Sequence, residues 1–224
     1  MVTPDQEPLF APRARTMLGD EVHASLQQSI LDGTFPPDTR INVGELARQF
    51  TVSPTPIREA LARLEADGLV EKHPLRGYRT TNLLDRRRIE ELFELRILLE
   101  PGTAANAAER RSDADVIALQ DEVEIGRTAI GHQDAYRSLS QHDVGLHDLV
   151  FRSAQNETVR QVYARTHCHL HTFRLAYTGA HVLDTVLEHA AVVDAIARMD
   201  SPAAAAAMRT HIENSRERLM QSIE

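Results

Sequence analysis

Leu18, Val22, Leu26 and Ile30 recur at every fourth position, which predicts one buried face of a helix. Gly33-Thr34-Phe35-Pro36-Pro37 stops it. Asn42, with Glu45 three residues later, reads as a capping pair for a short helix over 43–50. Thr51-Val52-Ser53 is a turn. A second periodic stretch then runs from about Ser53 to Asp67. At about 100° per residue Ile57, Leu61 and Leu64 share one side, and Thr55, Arg58 and Ala62 share the other. Gly68 ends this helix as its C-cap. Residues 69–73 and 77–81 are short strand candidates, separated by Pro74-Leu75-Arg76. From Leu83 onward the spacing is helical throughout and predicts about six helices, near 86–110, 113–130, 133–154, 157–177, 181–199 and 202–222. Asn156 and Gly179 fall in breaks, and Ser112 and Ser201-Pro202 mark helix starts.

This pattern divides the 224 residues into three parts: a flexible arm over 1–16, a small mixed domain over 17–82, and a helical bundle over 83–224. Helix, helix, turn, helix and hairpin is the order of a winged helix-turn-helix, so the expected class is mainly α with a DNA-binding unit first. Apolar residues make up 42% of the chain and aromatics only 4%, with no Trp, which favours helices packed on helices. No apolar run reaches the roughly 18 residues of a membrane span. The lone Cys168 excludes an internal disulfide and fits a cytoplasmic protein. The net charge of −8 argues against indiscriminate nucleic-acid binding. Locally the balance reverses. Residues 39–82 hold seven basic and five acidic side chains, whereas 83–224 hold sixteen and twenty-two.

Ser53-Pro54-Thr55-Pro56 explains how the third helix of this unit can begin abruptly. The first N–H groups of a helix have no internal partner, so proline loses nothing there and its fixed φ suits the first turn. Ser53 or Thr55 can cap. The apolar stripe docks inward and leaves a hydroxyl, a guanidinium and a methyl outward, groups that read phosphates and major-groove base edges. The bland alternative is an amphipathic surface helix with a solvated Arg58. Arg76 and Arg79 sit in the hairpin beside Gly77, which lets a backbone approach DNA.

In the bundle, Asp143 and His147 share a helix face at i, i+4. His189 lies about ten residues before the turn at Asp200-Ser201-Pro202, and His211 about nine beyond it, so both stand at one level. Three imidazoles and a carboxylate at one depth would bind a divalent metal such as Zn, Ni or Mn. Eleven histidines also allow chance alignments, and His167 with His171 forms a rival i, i+4 pair. A hydrolase would need a general base beside such a metal. Asp148 and Glu188 adjoin ligands in sequence, but successive helical residues diverge by about 100°. Neither G-x-S-x-G nor H-E-x-x-H occurs, so the chain is not expected to be an enzyme. A helical metal-dependent hydrolase with an accessory DNA-binding domain is the alternative.

The stretch ELARQFTVSPTPIREALARLEADGLVEKHPLRGY resembles the DNA-binding domain of GntR-family transcriptional regulators. The resemblance assigns DNA contacts to Ser53, Thr55 and Arg58 and the wing glycine to Gly77. Family members usually carry arginine where this chain has Pro54, which changes the expected operator; Arg48 and Arg76 are the candidates to compensate. LRILLEPGTAANAAER, DVGLHDLVFRSAQN and EHAAVVDAIARMDSPAAAAAMRTH resemble the FCD effector domain of the FadR subfamily. There the motif D-x-x-x-H, then E-H, then a last H, implies Asp143, His147, His189 and His211 as metal ligands. Arg96 matches a family arginine that faces the cavity toward an anionic effector, or else pairs with a nearby Glu; Arg174 is a candidate of the same kind. The resemblance implies a homodimeric, ligand-responsive regulator, more often a repressor, that binds double-stranded operator DNA and senses a small carboxylate.

Overall fold

The structure is a computed structural model that describes residues 12–128, 130, 135–175 and 181–222. The chain forms two compact units, residues 1–82 and 83–224. Most of the arm expected over 1–16 lies outside the described residues. Its last part is corrected: α1 spans Pro12–Leu31, so the helix begins before residue 17.

In the first unit α1 is followed by β1 (Arg40–Ile41), α2 (Val43–Gln49), α3 (Pro54–Ala66), β2 (Val70–His73) and β3 (Gly77–Thr80). Val22, Leu26 and Ile30 of α1 are buried, while Leu18 at the start of the same stripe is exposed. They pack with Ile57, Ala60, Leu61 and Leu64 of α3, each at 0% exposure. Removing several branched side chains from water, at about 1.5–3 kcal/mol each, is what holds α3 against α1. Asn42 caps α2 by accepting from the N–H groups of Gly44 and Glu45. The Glu45 side chain does not close the expected box; it pairs with Arg48 and Gln49 instead.

The strand β1 was not read from sequence, because two residues carry no periodicity. It adds an antiparallel edge to the hairpin, in the order β1-β3-β2, with Ile41 opposite Tyr78. Thr80 pins that edge: its hydroxyl donates to the Pro36 carbonyl and accepts from the Thr39 N–H, at 2.6 and 2.8 Å. The hairpin turn uses positive φ at Leu75 (63°) and Gly77 (85°). The second is a conformation that glycine adopts without steric cost.

The second unit contains seven helices among the described residues: α4 (Arg86–Arg110), α5 (Asp113–Thr128), α6 (Ala135–Ser153), α7 (Glu157–Ala164), α8 (Cys168–Leu175), α9 (Val182–Ala197) and α10 (Ser201–Ser222). The helix expected over 157–177 is thus two. The chain breaks between them, with His167 at φ 47°, a strained position for a non-glycine residue. Caps set the remaining ends. Asp85 caps α4, Asn156 caps α7, and Ser112 and Asp115 form a reciprocal box at α5. Asp200, rather than Ser201, caps α10 through the Ala203 N–H. Ile89 and Phe93 of α4, Leu119 of α5, Leu146 of α6, Ile196 of α9 and Met208 and Ile212 of α10 form one core. No helix among the described residues is long and apolar enough to cross a membrane.

Candidate functional site

The abrupt start of α3 takes the expected form with one difference. Ser53 occupies the N-cap position with extended backbone (φ −70°, ψ 161°), and Pro54 is the first helical residue. The Ser53 hydroxyl makes no capping bond, so backbone geometry and proline alone set this end. Ser53, Thr55 and Arg58 are all exposed while Ile57 beside them is fully buried. Arg48 is exposed on α2, and Arg76 and Gly77 are exposed at the hairpin tip. Hydroxyl and guanidinium groups therefore face away from the core of this unit, and a glycine sits where the turn needs positive φ.

The bundle holds the second set. Asp143 and His147 project from successive turns of α6, His189 from α9 and His211 from α10, and all four are buried. His211 Nε2 lies 3.3 Å from His147 Nε2 and 3.3 Å from His189 Nε2. Asp143 Oδ1 lies 3.4 Å from His189 Nε2 and 3.9 Å from His147 Nε2. Bonds of about 2.1 Å to a central ion put neighbouring donors about 3.0 Å apart in an octahedron and about 3.4 Å apart in a tetrahedron, so the spacing fits a metal.

The groups behind the imidazoles decide which nitrogen faces inward. His211 Nδ1 is 2.9 Å from Glu188 Oε2. His189 Nδ1 is 2.9 Å from His142 Nε2, and His142 Nδ1 is 3.3 Å from Glu122 Oε1. His147 Nδ1 is 2.7 Å from Glu100 Oε2, though off the line of a straight hydrogen bond. Each ring thus has an acceptor at Nδ1, which places the proton there and leaves the Nε2 lone pair bare. Three lone pairs aimed at one point repel one another unless a cation lies between them. The ionisation states agree. Burial lowers His147 to about 4 against the opposing effect of Glu100, and pushes His189 well below its ordinary value. Burial works the other way on Asp143, yet His169 and His147 hold its carboxyl well below the usual range. Neutral imidazoles and an ionised carboxylate are the forms that ligate a metal.

Two glycines make room for this arrangement. A Cβ on Gly126 of α5 would come within 2.7 Å of the His142 ring, and one on Gly145 of α6 within 3.1 Å of the Glu122 carboxylate. Both acids that adjoin ligands in sequence are already engaged. Asp148 pairs with Arg160 at 2.8 Å. Burial disfavours the Glu188 carboxylate, but Arg218, His211 and Asn214 bring it down to about 2, too low for a general base near neutrality.

A cavity of about 100 Å³ opens beside the cluster, and Asp143 forms part of its wall with Arg96, Thr172, Thr185, Ser215 and Arg218. Of the two readings of Arg96, the ion pair is present: its Nε is 2.6 Å from Glu100 Oε1, with both residues fully buried. Arg174 is buried on α8 and is not among the residues lining this cavity. His167 and His171 are only half-buried and are not among the four converging donors. Sequence reasoning left Glu100, His142 and Arg218 unnamed, set Glu188 aside, and placed His169 only within the 167–171 histidine cluster. Arg96 and Glu100 are spaced i, i+4, a signal that could have paired them. Glu188 escapes the 100° argument because its partner is not its neighbour His189 but His211, on the next helix.

Comparison with known proteins agrees with both halves. The model of bacterial regulatory proteins of the gntR family matches residues 18–79, and that of the FCD domain matches residues 91–214. The chain is 27% identical over 206 residues to the HTH-type transcriptional regulator YdhC of Bacillus subtilis (strain 168), covering 91% of this chain and 92% of that protein. It is 29% identical over 224 residues to the galactonate operon transcriptional repressor of Escherichia coli (strain K12), covering 90% and 96%. Among solved structures, E. coli McbR/YncC shares the fold with a TM-score of 0.73 at 21% identity, covering 92% of this chain and 99% of that one.

Proposed function

The chain belongs to the GntR family of bacterial transcriptional regulators that carry an FCD domain, and on that premise we propose that it is a homodimeric, cytoplasmic repressor released by a small carboxylate bound at a metal centre. One observation carries this reading: Asp143 is at once a convergent metal donor and part of the wall of a small cavity with cationic side chains. Zn, Ni or Mn held by Asp143, His147, His189 and His211 would leave one or two positions open toward that cavity. There the ion would supply a Lewis-acidic anchor for an anion. Arg218 and Arg96 would add charge and the Thr172, Thr185 and Ser215 hydroxyls hydrogen bonds.

On the DNA side, two copies of α3 would enter successive major grooves of a palindromic operator. Thr55 and Arg58 would reach bases, Ser53 and Arg48 the nearby backbone or bases, and Arg76 and Gly77 of the wing the adjoining groove. An effector switches such a dimer only if it binds one arrangement of the DNA-binding units better than the other. The test combines elemental analysis of purified protein, thermal-shift screening of two- to five-carbon acids, and operator binding with and without each acid that shifts. Protein without metal that no acid stabilises would sink the sensor half. For the DNA half, Arg58→Ala is expected to weaken specific operator binding by about 1–3 kcal/mol and to relax selectivity at one base pair. Uniform weakening on all sequences, in a gel-shift series, would reduce Arg58 to a phosphate contact.

A further inference from the structure

We propose that Tyr163 and His169 are positioning residues of the metal centre, holding Asp143 as a one-oxygen donor and coupling it through Glu100 to His147. This rests on the metal-centre reading above. It starts from the oxygen of Asp143 that does not face the other donors. Oδ1 points at the imidazole cluster, whereas Oδ2 lies 2.5 Å from His169 Nδ1. An ionised carboxylate can only accept, so His169 donates. The opposite nitrogen, His169 Nε2, is 2.9 Å from the Tyr163 hydroxyl. That hydroxyl is 2.5 Å from Glu100 Oε1. A phenol has one proton to give. Glu100 is ion-paired with Arg96 and accepts, so Tyr163 donates to Glu100 and receives the second N–H of His169.

Glu100 then closes the path, since its other oxygen lies 2.7 Å from His147 Nδ1. Asp143, His169, Tyr163, Glu100 and His147 thereby form a chain of contacts that begins and ends on two donors of the same centre. The anchor is stiff. The Tyr163 ring stacks on Phe151 at 4.3 Å, and its hydroxyl also contacts Cys168 Sγ at 3.0 Å. Both α7 and α8 are only eight residues long, and they bring Tyr163 and His169 to the bundle. Their consequence for chemistry is specific. A carboxylate with one oxygen held by His169 can offer the metal a single bond and cannot swing to chelate through both. Coordination positions on the cavity side would then be left for an effector carboxylate.

The experiment uses full-length protein stripped of metal, Zn²⁺ titrated against a chromogenic chelator, and the visible spectrum of the Co²⁺ form. Tyr163→Phe keeps the ring and removes only the hydroxyl; it is expected to weaken Zn²⁺ about tenfold with little change in the melting temperature of the metal-free protein. His169→Leu is expected to weaken it about a hundredfold and to alter the Co²⁺ spectrum, as Asp143 changes its binding mode. His169→Asn retains an N–H for Asp143 but not the link to Tyr163, and should fall between the two. Zn²⁺ affinities within twofold of the unaltered chain, with an unchanged Co²⁺ spectrum, would overturn the proposal and leave these residues a structural role. Failure of the unaltered chain to bind Zn²⁺ would overturn the centre itself, an outcome visible before any variant is made.

Discussion

His147→Ala combined with His189→Ala is expected to take the metal content of purified protein from about one ion per chain to near zero. Two of four converging donors vanish, leaving Asp143 and His211 on different helices. A resident ion stabilises a fold by RT ln(1 + [L]/Kd), about 2.7 kcal/mol when free metal stands at 100 times Kd. For a chain of this size that corresponds to roughly 5–10 °C in melting temperature. A chelator should therefore lower the melting temperature of the unaltered protein by that amount and leave the double variant unmoved. Elemental analysis and calorimetry read both quantities. Unchanged metal in the double variant would place the ion elsewhere, with His167 and His171 as the first place to look.

The second large effect is expected from Glu100→Ala, on the stability of the metal-free protein. Arg96 is 1% exposed and Glu100 0%, so removing the carboxylate leaves the guanidinium almost wholly buried without its ion partner. Burial by itself disfavours the charge on Arg96. Glu100 overcomes that penalty and keeps the guanidinium firmly protonated. Breaking one half of a buried pair costs about 3–5 kcal/mol because it strands the other charge. That is a large fraction of the 5–15 kcal/mol that holds a typical domain. Arg96→Met with Glu100→Gln removes both charges at similar volume and should recover most of the loss. Urea unfolding followed through the helical unit measures all three. A loss below about 1 kcal/mol for Glu100→Ala would mean that the pair is not isolated from solvent.

The sequence reading succeeded where one element carries its own pattern. The stripe of α3 is legible because burial repeats with the helix, and Asp143 with His147 because four residues make one turn. It failed for cross-element partners that neither turn counting nor the resemblance had placed. Glu188 and Arg218 lie 30 residues apart, on α9 and α10, and no local spacing announces their bond at 2.7 Å. His169 reaches Asp143 because the chain breaks at His167, a break that apolar periodicity alone did not reveal. The strand β1 is two residues long, too short for alternation to register. Arg96 is the intermediate case: an unnamed nearby Glu is one of its two expected partners, but only burial decides between an ion pair and an effector contact.

The bare Cα of Gly126 inverts a common rule of protein engineering. Replacing glycine inside a helix by alanine ordinarily stabilises by roughly 0.5–1 kcal/mol, since the unfolded chain has fewer conformations to lose. On α5 the added methyl would strike an imidazole that is wholly enclosed and tied at both nitrogens, so it has nowhere to retreat. The displaced ring is the one that orients His189. A campaign that hardens this regulator by consensus helix-filling would therefore disturb the four-donor cluster while leaving the helix itself in good order.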